Sequence, residues 1–289
     1  MNKKKLQALI NLLDDSDSFI LETVEKELLK ENYVIIPALE EKLKSCFNEG
    51  YQGRIENIIK NLQFKQIKKL IKDWLRTGEQ NFLEGVLLVD RFQYYDLNQF
   101  EINKKIENIK NSIWIELNNS LTILEKTTIL NYFLFNVHGF SINHQDIHSP
   151  QNCFLNYILD TKKGNPLSIS ILYTIIARLI GLSTQFVDFP RNPLIAIVDS
   201  GLARKIHGNI RSSDALFYVN TSNKGAIVSK KEIEYYMDKN NYTPSQEYIK
   251  PQTDSYLIKS HLMFLMKAYQ SIGFPEKEEK IKSLYNMFK

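Results

Sequence analysis

The 289 residues include 37 basic and 33 acidic side chains, a net charge of +4, with 43% hydrophobic and 24% charged residues. These values exclude disordered and fibrous classes, and a basic excess spread along Lys-rich segments does not imply nucleic-acid binding. Eleven Gly and eight Pro are few for this length, which argues against a turn-dense β-sandwich or propeller and for long helices.

The cysteines are Cys46 and Cys153, with no CxxC pair, as expected of a reduced compartment without disulfides. The opening MNKKKLQALINLLDDSDSF places basic residues before apolar ones. Asp14, Asp15 and Asp17 interrupt the run before a signal-peptide core could form, so a cytoplasmic protein is expected.

From Leu6 to Ile142 apolar residues recur three and four apart, as in Leu6, Leu9, Ile10 and Leu13, or Ile55, Ile58, Ile59 and Leu62, which predicts successive amphipathic helices. The run LLDDSD closes one helix and caps the next, and Gly50, Gly53, Gly78 and Gly85 mark later breaks. LLDDSD, a helix and then IIPALEEKL together resemble one HEAT-type helical repeat.

The character changes near Phe140. GFSINHQDIHSPQNC reads as a polar loop, and Ser149-Pro150 starts a helix to Thr161. After the break KKGNP, the segment LSISILYTIIARLIGL is apolar on nearly every face, so it should be a centrally buried helix, capped by Asn165, opened by Pro166 and ended by Gly181. It is too short for a membrane span and carries Arg178. The period then falls to two. Thr184–Phe189, Leu194–Val198, Ala215–Asn220 and Ala226–Val228 read as strands, with a loop from Asp199 to Asp214. A helix from Ser229 to Asn240 and two closing helices divided at Gly273-Phe274-Pro275 complete the chain. The expected class is α+β and predominantly helical, with a buried central helix on a small antiparallel sheet.

GNPLSISILYTIIARLIGL, followed by a strand and Phe189-Pro190 and preceded by SPQNCFLNYILDTKK, resembles the SirB-type branch of the transglutaminase-like superfamily. The resemblance implies a papain-like core. Active members of the superfamily place a Cys at the start of the central helix, a His on the following strand and an Asp on the next. A helix N-terminus lowers a thiol pKa and offers free N–H groups to an oxyanion. In this chain Pro166, Asn192 and Asn220 stand at those three positions. The resemblance therefore implies a pseudoenzyme with a degenerate triad, whose three positions converge on one cleft.

The expected organisation is a HEAT-like region over about 1–135, a transglutaminase-like core over about 136–240 and a helical segment over about 241–289. The expected function is non-catalytic binding of a protein or peptide, without cofactor, metal, nucleic acid or membrane. Gly164, Asn165, Ser168 and Arg191 are candidates for lining the cleft. The alternative is an amide-bond or thiol-dependent enzyme using Cys153, near the helix start at Ser149-Pro150. A packed thiol is the plainer reading of Cys153, and it is preferred to a metal cluster of His144, Asp146, His148 and Cys153. Ser168 and Ser170 lack an adjacent base, and Lys162 and Lys163 read as a solvated turn rather than an anion site.

Overall fold

The structure, a computed structural model, describes residues 2–45, 48–78, 81–190, 192–207, 214–242 and 246–288. It divides into two compact units, Met1–Arg76 and Thr77–Lys289.

The first unit holds α1 (Lys3–Leu12), α2 (Ser18–Lys30), α3 (Ile36–Lys44) and α4 (Glu49–Arg76). Asp17 caps α2 as its sequence suggests, accepting the Phe19 N–H at 2.8 Å. The breaks expected at Gly50 and Gly53 do not occur. Both glycines fall in the first turns of α4, where Asn48 accepts the Tyr51 N–H at 3.1 Å and the helix runs through them. The exposed ends of the shorter helices are closed by α4. The Tyr51 hydroxyl donates to the Ile10 carbonyl, Arg54 to the Leu13 carbonyl, and the Lys65 ammonium to the carbonyls of Leu29, Lys30 and Glu31. A cation placed on the last carbonyls of a helix also meets the negative end of its dipole.

The second unit begins with α5 (Phe82–Asp90), α6 (Gln99–Trp114) and α7 (Ile123–Tyr132), the last continuing into a π-helical turn over Phe133–Val137. Gly85, expected as a break, is buried inside α5. Strand β1 (Ser141–Ile142) pairs in parallel with β2 (Lys163–Gly164), so the segment read as loop carries a short strand. Between them, a 3-10 turn (Pro150–Cys153) precedes α8 (Leu155–Thr161). The single helix expected from Ser149 is thus split at Phe154.

The central helix α9 (Pro166–Leu179) is buried at every position from Ser168 to Ala177, as a helix apolar on all faces must be. It leads through Gly181, in the left-handed region at φ 85°, to β3 (Thr184–Val187). Strands β4 (Leu194–Val198), β5 (Ala215–Asn220) and β6 (Ala226–Val228) complete an antiparallel sheet in sequence order. A helix α10 (Ser200–His207) occupies part of the expected loop. The remaining helices are α11 (Lys230–Lys239), α12 (Asp254–Ser271) and α13 (Pro275–Tyr285).

Helix α9 packs on β3 and β4, while Leu194, Ala196 and Tyr218 pack with Ile233 and Met237 of α11. Burial of β4 from both sides explains its unbroken Leu-Ile-Ala-Ile-Val run. Arg178 at the end of α9 ties three elements. It donates to both carboxylate oxygens of Asp254 at 2.6 and 2.8 Å and to the side chain and carbonyl of Thr184, and it lies over the Phe82 ring.

Candidate functional site

The start of α9 is a dense capping arrangement. Asn165 accepts the Ser168 N–H through its side-chain oxygen, and Ser168 Oγ accepts the Asn165 N–H, each at 2.9 Å. Both residues are buried. Gly164 is required by the same crowding, since a Cβ there would lie 2.7 Å from Ser168 Oγ. Pro166 is half-buried at the first helical position. It supplies neither a nucleophile nor an N–H.

One turn later, Ser170 Oγ donates to the Pro166 carbonyl at 2.8 Å and lies 2.7 Å from Thr221 Oγ1. This contact joins the opening of α9 to the end of β5, because Thr221 directly follows Asn220. The pairing of Ile195 with Val219, carried one residue further, sets Leu194 opposite Asn220, so Asn192 lies two residues from that point. The side-chain oxygen of Asn220 accepts the N–H groups of Ser222 and Asn223 at 3.1 and 3.2 Å and caps its own turn. No hydrogen bond joins Asn220 to Asn192 among the described residues. Arg191 lies outside the described residues.

Cys153 lies on the 3-10 turn before α8, within hydrogen-bond reach of the residue that caps α9. It is a free thiol at 1% exposure, and its sulfur accepts from Asn165 Nδ2 at 3.2 Å. Burial pushes the thiol pKa far up, and the nearby Asp90 adds to the shift against the Asn165 hydrogen bond. The thiolate needed for nucleophilic attack is therefore suppressed.

Two groups around Cys153 were not foreseen from the sequence. His261 of α12 is buried, and neither ring nitrogen makes a hydrogen bond of good geometry within the described structure. Burial drives its pKa down to about 4, with the Cys153 main chain favouring the charged ring only weakly. Asp90 ends α5 at 0% exposure and accepts the N–H groups of Leu155 and Asn156 at 3.1 and 3.0 Å, capping α8 from a distant part of the chain. Burial raises its pKa to about 7 against the pull of those two donors. A polar residue inside an apolar run, as in LLVDRF and SHLMFLM, was the available signal for both.

The other candidates have structural partners. Ser168 is committed to the α9 cap. His148 stacks on Phe264 at 6.1 Å, and the Asp146 carbonyl accepts from Asn152. Among the described residues no three His, Cys, Asp or Glu side chains are placed to hold a metal ion. Lys162 donates to the Leu159 carbonyl and lies over the Phe140 ring, and Lys163 donates to Ser141. His207 belongs to α10.

A buried helix whose first turn meets the ends of an antiparallel sheet defines an α+β core of the papain-like kind. The family described as Transglutaminase-like superfamily matches residues 100–262, more than half of the chain, and the chain belongs to it. A UPF0162 protein of Xylella fastidiosa is 28% identical over 121 residues, which cover 42% of this chain and 43% of that protein. F-box only protein 21 of Homo sapiens is 24% identical over 204 residues, covering 62% of this chain and 32% of the relative. The chain thus spans less than half the length of these curated relatives. No solved structure matches. Among the described residues no helix is long and apolar enough to cross a membrane.

Proposed function

We propose that this chain is a non-catalytic member of the superfamily, of its SirB-type branch, acting in the cytoplasm as a protein- or peptide-binding module. The observation that carries the reading is the start of α9. By its resemblance to the family, Pro166 stands where active members place their Cys, and at this helix start the Asn165–Ser168 capping box pairs the Asn165 and Ser168 N–H groups. A helix N-terminus used in this way offers no thiolate and fewer N–H groups to an oxyanion. The buried Cys153 supports the same reading, because burial disfavours the thiolate of this hydrogen-bonded thiol.

The test is incubation of the purified protein with glutamine peptides, with and without a primary amine, while measuring ammonia release and cross-linked product. No turnover is expected. Turnover abolished by Cys153→Ala would overturn the reading in favour of a thiol enzyme, and turnover that survives that change would overturn it through another constellation.

A further inference from the structure

Three local costs converge at one place on the second unit. Trp114 at the end of α6 is 56% exposed and Ile115, directly before Glu116, 82%, and Tyr132 at the end of α7 is 57% exposed. Apolar surface of this kind is costly in water, and grouped rather than scattered it marks interaction sites.

Glu116 follows directly on the C-terminus of α6, where the helix dipole is negative, and α6 has no basic residue in its last turn. No cation pairs with Glu116 among the described residues. Such a placement is unfavourable within the free chain and favourable against a positive partner.

The third cost is the π-helical turn Phe133–Val137, a rare backbone form that is frequent at functional sites. It follows Tyr132, and the rings of Tyr132 and Phe133 meet edge to face at 5.9 Å. Glu116, Tyr132 and Phe133, with Thr128 and Ile129, line one groove of about 480 Å³. Where several local rules are broken together, function is the expected reason.

We infer that this groove docks an amphipathic helix of a partner protein, with a Lys or Arg of that helix set against Glu116. The inference rests on the binding-module reading and names its surface. Four of the five lining residues belong to α7 and its π-helical continuation, Glu116 lies in the turn after α6, and none lies on a strand, so an extended peptide would leave its own N–H and C=O groups unpaired. A helix satisfies them internally and presents side chains at three- and four-residue spacing. The Glu116 carboxylate at the groove favours a basic flank over an acidic one. Tyr132 is the apolar anchor, and Glu116 sets charge preference.

The experiment uses the full chain and two fluorescein-labelled helical peptides with Leu at i, i+3, i+4 and i+7. One peptide carries Arg at its flank and the other Glu at the same place, and affinity is read by anisotropy. The Arg peptide should bind about tenfold more tightly than the Glu peptide, and Glu116→Lys should reverse that order. Tyr132→Ala should weaken both by about tenfold. Glu116 and Tyr132 are exposed, so melting curves of the variants should match the parent and exclude misfolding as the cause.

Absence of saturable binding overturns the inference, as does an order that Glu116→Lys leaves unchanged. Self-association of the parent that Tyr132→Ala abolishes would assign the groove to a second copy and likewise overturn it. Amide turnover by the parent would defeat the non-catalytic reading without altering these affinities. Lost peptide discrimination with turnover still absent defeats the groove alone.

Discussion

The side-chain nitrogen of Asn165 donates to the sulfur of Cys153 at 3.2 Å, so one residue caps the central helix and immobilises the thiol. The same nitrogen also reaches the Asn152 carbonyl at 3.3 Å. Asn165→Ala would remove the cap and leave buried groups unpaired, with an expected loss of about 3 kcal/mol. Urea unfolding would measure it. A variant within about 0.5 kcal/mol of the parent would show that the cap is not a stabilising element.

Arg178 and Asp254 give a second test, because their bidentate pair is only partly exposed, at 31% and 21% of the side chains. Arg178→Lys keeps the charge but loses the fork and the contacts to Thr184. The expected cost is about 2 kcal/mol. A double-mutant cycle with Asp254→Ala should show coupling above about 1 kcal/mol, and strictly additive losses would contradict the pairing.

Gly225 and Gly181 separate backbone strain from steric conflict. Both have positive φ, at 77° and 85°. A Cβ on Gly225 would lie 2.5 Å from Asn131 Cγ, whereas Gly181 has open space. Asn131 cannot yield easily, since it donates to the Gly225 carbonyl and accepts from the Tyr173 hydroxyl. Gly181→Ala should cost about 1 kcal/mol and Gly225→Ala about 3 or more. Equal melting temperatures for the two variants would contradict this account.

Asp90 and His261 oppose each other in pH dependence. The raised Asp90 pKa means that its contribution, complete below 3.8, is lost as pH rises through about 7. The lowered His261 pKa means that its contribution, complete above 6.5, is lost as pH falls through about 4. Between pH 6.5 and 4 the two effects offset. Relative to the parent, Asp90→Asn should lose stability more steeply on acidification across that window, and His261→Leu should lose less or gain. Denaturant midpoints at several pH values would decide, and parallel profiles for all three proteins would refute the opposition.

What the sequence disclosed depends on how far away the determining partner lies. Asn165-Pro166 and Ser168 are neighbours, so the α9 start was readable. The strands β4, β5 and β6 were equally plain, with bounds as expected. The split at Phe154 was not, because Asp90, which caps α8, is 65 residues from Leu155. Strands β1 and β2 have two residues each and exist through the pairing of Ser141 with Lys163. His261 reaches Cys153 only when α12 packs on the turn that carries the thiol. Local signals thus disclosed the elements, whereas the buried polar contacts depended on tertiary packing.

The final prediction concerns the thiol that the chain lacks. Pro166 is half-buried where Cys153 is fully buried, and it stands at the positive end of α9. Pro166→Cys should place a thiol with a lowered pKa at that end, alkylated by iodoacetamide at least about tenfold faster than Cys153. It should show no turnover alone, since neither Asn192 nor Asn220 can serve as a base. If the degenerate positions share a cleft, adding Asn192→His and Asn220→Asp should produce an acylation burst with an activated ester, because a base and an orienting acid then accompany the thiol. The Asp at position 220 must leave the turn that Asn220 now caps, so the burst should be slow. A new thiol no more reactive than Cys153, or a triple variant without a burst, would show that these residues never formed one site.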